Sequence, residues 1–145
     1  MKRLALGLCL LLPLFNISTN AQDKGVTSDD TSTVRATVKD YIEGYYTGDA
    51  RRMAQTLHPH YLKHLIHGDI PMREITGSQM VQAVRSEGVS VDIPPAEQTA
   101  QISVLDVSGD IASAKLTTPH WVDYITLSKS GGEWKILSVV QRIDD

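Results

Sequence analysis

Cysteine and phenylalanine are almost missing from this chain: each occurs once, as Cys9 and Phe15, inside the first fifteen residues. From Gln22 onward there is no thiol, which excludes disulfides and cysteine nucleophiles and leaves core burial to supply stability. Glycine-rich phosphate loops and G-x-S-x-G elbows are also absent, which removes the common nucleotide-binding and serine-hydrolase signatures. Without Lys2 and Arg3, the chain carries twelve basic residues against seventeen acidic, a formal charge of −5. That balance disfavours nucleic acid and anionic membrane as partners, because both need a basic footprint. No internal repeat, coiled coil or low-complexity tract occurs.

What is present begins with Lys2 and Arg3 ahead of the apolar run Leu4–Phe15. The run is shorter than the roughly 20 residues that span a bilayer. Thr19 and Ala21 supply the small residues needed for a cut after Ala21. The pattern predicts a secretory signal peptide over residues 1–21, hence export to the periplasm or beyond, with no membrane association after cleavage. Residues 22–30 are polar without apolar period and predict a flexible lead-in. Residues 31–145 then form one domain; about 120 residues bury about two-thirds of the unfolded chain's surface.

Val34, Val38, Tyr41, Ile42 and Tyr45 recur at three- and four-residue steps, the stripe of a first helix starting near Thr31–Thr33 and ending at Gly48. Asp49 caps a second, shorter helix with Ala50, Met53, Ala54 and Leu57 inward. Pro59 and the Gly68–Asp69 turn favour a strand for "YLKHLIH". Thr76 and Gln79 fit a capping box opening a third helix through Met80, Val81 and Val84 to Gly88. Pro94–Pro95 marks a connector. After it the period becomes two, with "TAQISVLDV"/"IASAKLTT" and "WVDYITLSK"/"EWKILSVVQR" as two hairpins. Helices first and long strands after predict an α+β domain.

Three stretches, "YIEGYYTGDARRMAQTLHP", "DVSGDIASAKL" and "WVDYITLSKSGGEWKILSVV", in that order resemble the putative lumazine-binding family of the nuclear transport factor 2-like superfamily. The resemblance covers Val34 to about Arg142. It implies a cystatin-like cone: three helices packed on a strongly curved antiparallel sheet, open at one end. It also implies a homodimer through the outer sheet face. Superfamily members use the cone for isomerisation, cyclisation, dehydration or ligand binding, so the resemblance names no single activity. One departure is His60, where members tend to carry an acidic residue after "HP".

Strand alternation selects the residues that face the cone. Ala112, Ala114 and Leu116 form the apolar face of one strand, and Trp121, Asp123, Ile125 and Leu127 that of the next. Asp123 thus falls among apolar neighbours, where a carboxylate must be paired, hydrogen-bonded or neutral. If the faces were swapped, Tyr124 would line the pocket instead. In "YLKHLIH", Leu62, His64 and Ile66 suit the interior better than the set containing Lys63. The expected pocket therefore comprises Leu62, His64, Ile66, Ala112, Ala114, Leu116, Trp121, Asp123 and Ile125 with Tyr41 and Tyr45, whose hydroxyls could bind an oxyanion. Asp123 and His64 form the candidate acid–base pair if the protein is an enzyme.

His58-x-His60 and His64-x-x-His67 look like metal-ligand pairs, but alternation puts His64 and His67 on opposite strand faces, so no metal and no cofactor are expected. Three readings stay open: an exported module binding a small, partly apolar molecule, an isomerase, cyclase or dehydratase, or a dimeric interaction module with a vestigial pocket.

Overall fold

The structure is a computed structural model that describes residues 28–87 and 93–143. The signal peptide, Gln22–Thr27 of the lead-in, and Gly88 lie outside them. Helix α1 (Ser28–Thr47) begins earlier than the apolar stripe suggests, so Ser28–Asp30 are its first turn rather than lead-in. Two effects extend it. Asp29 and Asp30 put negative charge at the helix amino terminus. Asp30 Oδ1 also accepts from Lys129 Nζ at 2.6 Å and from Trp134 Nε1 at 3.0 Å, tying that turn to the last hairpin. Val34, Val38, Tyr41 and Ile42 are all buried along its inner stripe.

Gly48, with φ 68°, breaks α1 in the left-handed region that side chains disfavour. Asp49 then caps α2 (Ala50–Thr56), its carboxylate accepting from Arg52 N at 2.9 Å. Met53 and Thr56 are the buried residues of this helix, whereas Ala54, expected inward, is exposed. Gly44 explains the close approach of the two helices: a Cβ there would meet Met53 N at 3.1 Å and Asp49 O at 3.3 Å.

Strand β1 (Leu57–His67) follows directly, and β2 (Ile70–Thr76) returns beside it. Helix α3 (Gly77–Glu87) opens on the predicted capping box, with Thr76 N donating to Gln79 Oε1 at 2.8 Å and Gln79 N to Thr76 Oγ1 at 3.4 Å. After a short 3-10 turn at Pro95–Glu97 come β3 (Gln101–Ser108), β4 (Ile111–Thr117), β5 (Trp121–Ser130) and β6 (Glu133–Ile143).

The strands form one sheet in the order β2-β1-β6-β5-β4-β3. Neighbours are antiparallel except β1 and β6, which run parallel, so the sheet is mixed and the expectation of an antiparallel sheet is corrected there. The two strands are far apart in the chain, with β2, α3 and β3–β5 between them, so no hairpin turn fixes their relative direction. Register shifts interrupt β1 against both neighbours, β3 against β4, and β5 against β6; such bulges bend strands and curve the sheet. Strand β2 carries Pro71, which is tolerated because β2 is an edge.

One sheet face is covered. Helix α1 packs on β3, β4 and β6, and α3 packs on β1 and β2. Ala112, Ala114, Leu116, Ile125, Leu127, Ile136 and Val139 are at most 2% exposed under this cover. Each Leu- or Ile-sized side chain buried there contributes about 1.5–3 kcal/mol. Trp134 joins this core through its ring, with its indole N–H satisfied by Asp30.

Candidate functional site

Covering one face with two separated helices leaves space between them. Helix α1 sits over the β3–β4 half of the sheet and α3 over the β1–β2 edge. A cavity of about 350 Å³ remains between, walled by Tyr41, Ile42 and Tyr45 of α1 and by Gln79, Met80 and Ala83 of α3. Its floor is the sheet: Leu65, Gln141 and Asp123 lie in one register row across β1, β6 and β5, with Arg73 of β2 at its end. Lys63, Ile75, Glu74 and Trp121 complete the wall.

Four of the sequence-predicted pocket residues meet in this cavity: Tyr41, Tyr45, Trp121 and Asp123. Ala112, Ala114, Leu116 and Ile125 are inward-facing and buried but do not line the cavity, because α1 packs down on that half of the sheet. Leu62, His64 and Ile66 do not line it either, and this corrects the face chosen for β1. Tyr61 and Lys63 are 3% and 4% exposed, whereas Ile66 is 42% exposed. His64 lies on the outer face, its Nε2 3.2 Å from Glu74 Oε1. Asp123 and His64 therefore occupy opposite faces of the sheet and cannot act as a pair on one ligand atom.

The lysine that seemed to mark an outer face is the cation that makes a buried Asp123 tolerable. Lys63 Nζ stands 3.8 Å from Asp123 Oδ1 and donates to the Tyr41 hydroxyl at 3.1 Å. The Tyr41 and Tyr61 hydroxyls lie 3.4 Å apart, extending the chain of polar groups by one. Both members of the ion pair are buried, and desolvation dominates each. It pushes the Asp123 carboxyl above its ordinary range, opposed by the Lys63 charge and by Gln141 and Trp121 facing it. It pulls the Lys63 ammonium below its ordinary range, opposed by Asp123. Burial, reinforced by Tyr61 and Asp123, holds the Tyr41 phenol well above its ordinary value, so it stays protonated.

The pairing is incomplete. Asp123 is 0% exposed and faces Lys63, Gln141 and Trp121, but none of them meets its carboxylate in full hydrogen-bonding geometry. Buried polar atoms are nearly always satisfied, so a donor from a bound molecule or water would complete this wall. Trp121 is held edge-on against Tyr45, with ring centroids 5.5 Å apart, which fixes its indole in that wall.

The other histidines gather no such environment. His58 Nδ1 accepts from His60 N at 3.1 Å, a local contact across Pro59 in the irregular start of β1. Among the described residues, no group of three or more His, Cys, Asp and Glu converges.

Sequence reasoning missed Lys63 and the β2 residues Arg73, Glu74 and Ile75. A signal for Lys63 existed: an inward Asp123 demands a cation, and Lys63 alternates with Tyr61 and Leu65 on a strand face. Strand β2 was obscured by Pro71.

A bent mixed sheet under three helices, with a buried Lys63–Asp123 pair at the base of a cavity of mixed polar and apolar lining, is the nuclear transport factor 2-like architecture. The chain belongs to the putative lumazine-binding family, whose family model matches residues 29–141. Similar solved structures include a nuclear transport factor 2-like protein of unknown function from Silicibacter pomeroyi. It is 19% identical, with a TM-score of 0.66 covering 83% of this chain and 100% of that one. Another, from Shewanella baltica, is 16% identical, with a TM-score of 0.67 covering 83% and 99%. A third, described as a putative dehydratase from Streptomyces avermitilis, is 14% identical, with a TM-score of 0.53 covering 81% and 97%. At these identities the likeness concerns the fold. No curated protein matches the chain.

Proposed function

We propose that the protein binds a small, partly apolar molecule in the cavity between α1 and α3, with Asp123 and the Trp121 indole as its polar contacts. The observation that carries this reading is a buried carboxylate with incomplete hydrogen bonding in the wall of a cavity of about 350 Å³, a size that suits a small ligand. A matching ligand has an apolar body for Ile42, Met80 and Ala83, and one edge offering a donor to Asp123 and an acceptor to Trp121. Export and a homodimer belong to the same reading. The dimer is supported by Tyr124 and Val140, register partners on the uncovered sheet face that are 55% and 41% exposed.

2-Naphthol, an apolar ring system with one hydroxyl, serves as a probe. Calorimetric titration is expected to give one site per chain in the wild type. Affinity should fall at least about tenfold in Ala83→Phe, which fills the cavity from α3 without touching the polar pair. Equal affinity in the two proteins, or no binding to either, contradicts the reading.

A second reading, acid–base catalysis, is favoured by the raised Asp123 carboxyl beside the Tyr41 hydroxyl. Its base would be Asp123, with Lys63 and Tyr41 as the neighbouring donors. The putative dehydratase among the similar structures is compatible with such chemistry on this fold.

A further inference from the structure

Beside Asp123 and Trp121 the cavity lining holds one primary amine, that of Lys63, whose pairing with Asp123 makes no use of its nucleophilicity. Lys63 reaches the cavity from β1, between Ile75 and Val139 in the register, with its side chain 5% exposed. Its Nζ is held at 3.1 Å from the Tyr41 hydroxyl and 3.8 Å from Asp123 Oδ1. The Tyr41 ring also lies under it, 5.8 Å from Nζ to the centroid. An amine, a carboxylate and a phenol thus converge in the wall of one cavity.

From this convergence we propose that Lys63 forms a reversible imine with an aldehyde or ketone bound in the cavity. The inference rests on the cavity being a ligand site. Once the Lys63 ammonium has released a proton to solvent, the Nζ lone pair attacks the carbonyl carbon, and the carbon–oxygen π pair moves onto oxygen. The nitrogen loses a proton to Asp123, and the oxygen takes one from the Tyr41 hydroxyl, giving a neutral carbinolamine. Asp123 then returns its proton to that hydroxyl as water leaves, and the nitrogen pair closes the carbon–nitrogen double bond. The remaining N–H proton restores the phenol. One carbonyl and one amine become one imine and one water, with no change in oxidation state.

Two features favour the step at this lysine over others. The Lys63 side chain is 5% exposed, which limits contact of an imine there with bulk water. Desolvation also lowers the Lys63 ammonium, so more of it is neutral amine near pH 7 than at an exposed lysine. Arg73, whose side chain also lines the cavity, offers a fixed positive charge that disfavours a second cation there. Glu74 at the rim acts in the opposite sense and is shared with His64 on the outer face.

The test uses the intact protein with 2-naphthaldehyde and sodium cyanoborohydride near neutral pH, followed by mass spectrometry and peptide mapping. The expected product gains the mass of the aldehyde less one oxygen atom, with the label at Lys63. Labelling there should run at least on the order of tenfold faster than at Lys39, Lys115, Lys129 or Lys135, following its larger fraction of neutral amine. Lys63→Met should lose that label, and Asp123→Asn should slow it on the order of a hundredfold. Because mapping is done on the wild type, the result stands even if a variant folds poorly. Labels spread evenly over the exposed lysines while 2-naphthol still binds would overturn the imine and leave the ligand site intact. Failure of both naphthyl compounds to bind would overturn both.

Discussion

Lys63→Met is expected to cost about 3 kcal/mol of stability near pH 8, and adding Asp123→Leu to it is expected to restore most of the loss. Removing one partner of a buried ion pair leaves an uncompensated charge, at about 3–5 kcal/mol, whereas replacing both by apolar groups is often neutral or stabilising. Lys63 and Asp123 meet the condition for this contrast, since their side chains are 5% and 0% exposed. The pH dependence follows from the direction of each shift. A carboxyl whose folded pKa is raised binds more protons folded than unfolded, so stability falls as pH rises from the ordinary aspartate value through the folded one. A lysine whose folded pKa is lowered acts oppositely: the unfolded chain binds more protons, and stability rises with pH up to the ordinary lysine value. In Lys63→Met only the first effect survives at this site, and it is enlarged because the opposing charge is gone. The variant's deficit should therefore be smaller at about pH 5 than at about pH 8, because acidification favours the protonated Asp123. Urea titrations at the two pH values, compared by midpoint at constant slope, measure this. A double variant as unstable as the single one would show that the pair is not coupled.

The second large effect separates the two faces of β1. Tyr61→Ala should cost about 3–5 kcal/mol, the range for truncating a fully buried aromatic. Tyr61 is 3% exposed, packs where α3 begins against Gly77, and shares its hydroxyl with Tyr41. His64→Ala, three residues along on the other face, should stay within about 1 kcal/mol, because its contact with Glu74 is largely solvated. Thermal or urea unfolding of the two variants gives the comparison. A larger loss for His64→Ala would mean that β1 presents the opposite face to the helices.

Most elements were legible in the sequence because local chemistry names them. The Val34–Tyr45 stripe, the Asp49 cap, the Thr76–Gln79 box and the period-two hairpins each rest on contacts between near neighbours. The Asp123 face was legible too, since Trp121, Ile125 and Leu127 give β5 one consistently apolar side. On β1 the same rule points the wrong way. Composition favours Leu62, His64 and Ile66 over a set holding Lys63, and only the carboxylate across the sheet reverses that preference. A long-range pair decides the burial of Lys63, and periodicity within one strand carries no information about it. The parallel pairing of β1 with β6 is hidden for the same reason: the partners are distant in sequence and joined by no turn signal. Lining residues from β2 share this limit, with Pro71 masking the strand that holds them.

The same pair explains why the histidines of "LHPHYLKHLIHG" do not form the site. Their strand contributes Tyr61, Lys63 and Leu65 inward, while His64 pairs with Glu74 outside and His58 contacts His60 across Pro59 at the start of β1.

The central claim is that the Asp123 cavity is built to be occupied. Native mass spectrometry of the protein, purified without a tag from the cells that make it, tests this most directly. The account predicts a small molecule retained in a one-to-one ratio with the chain, and its loss in Ala83→Phe. A bare chain mass throughout, unchanged when 2-naphthol is added, would contradict it.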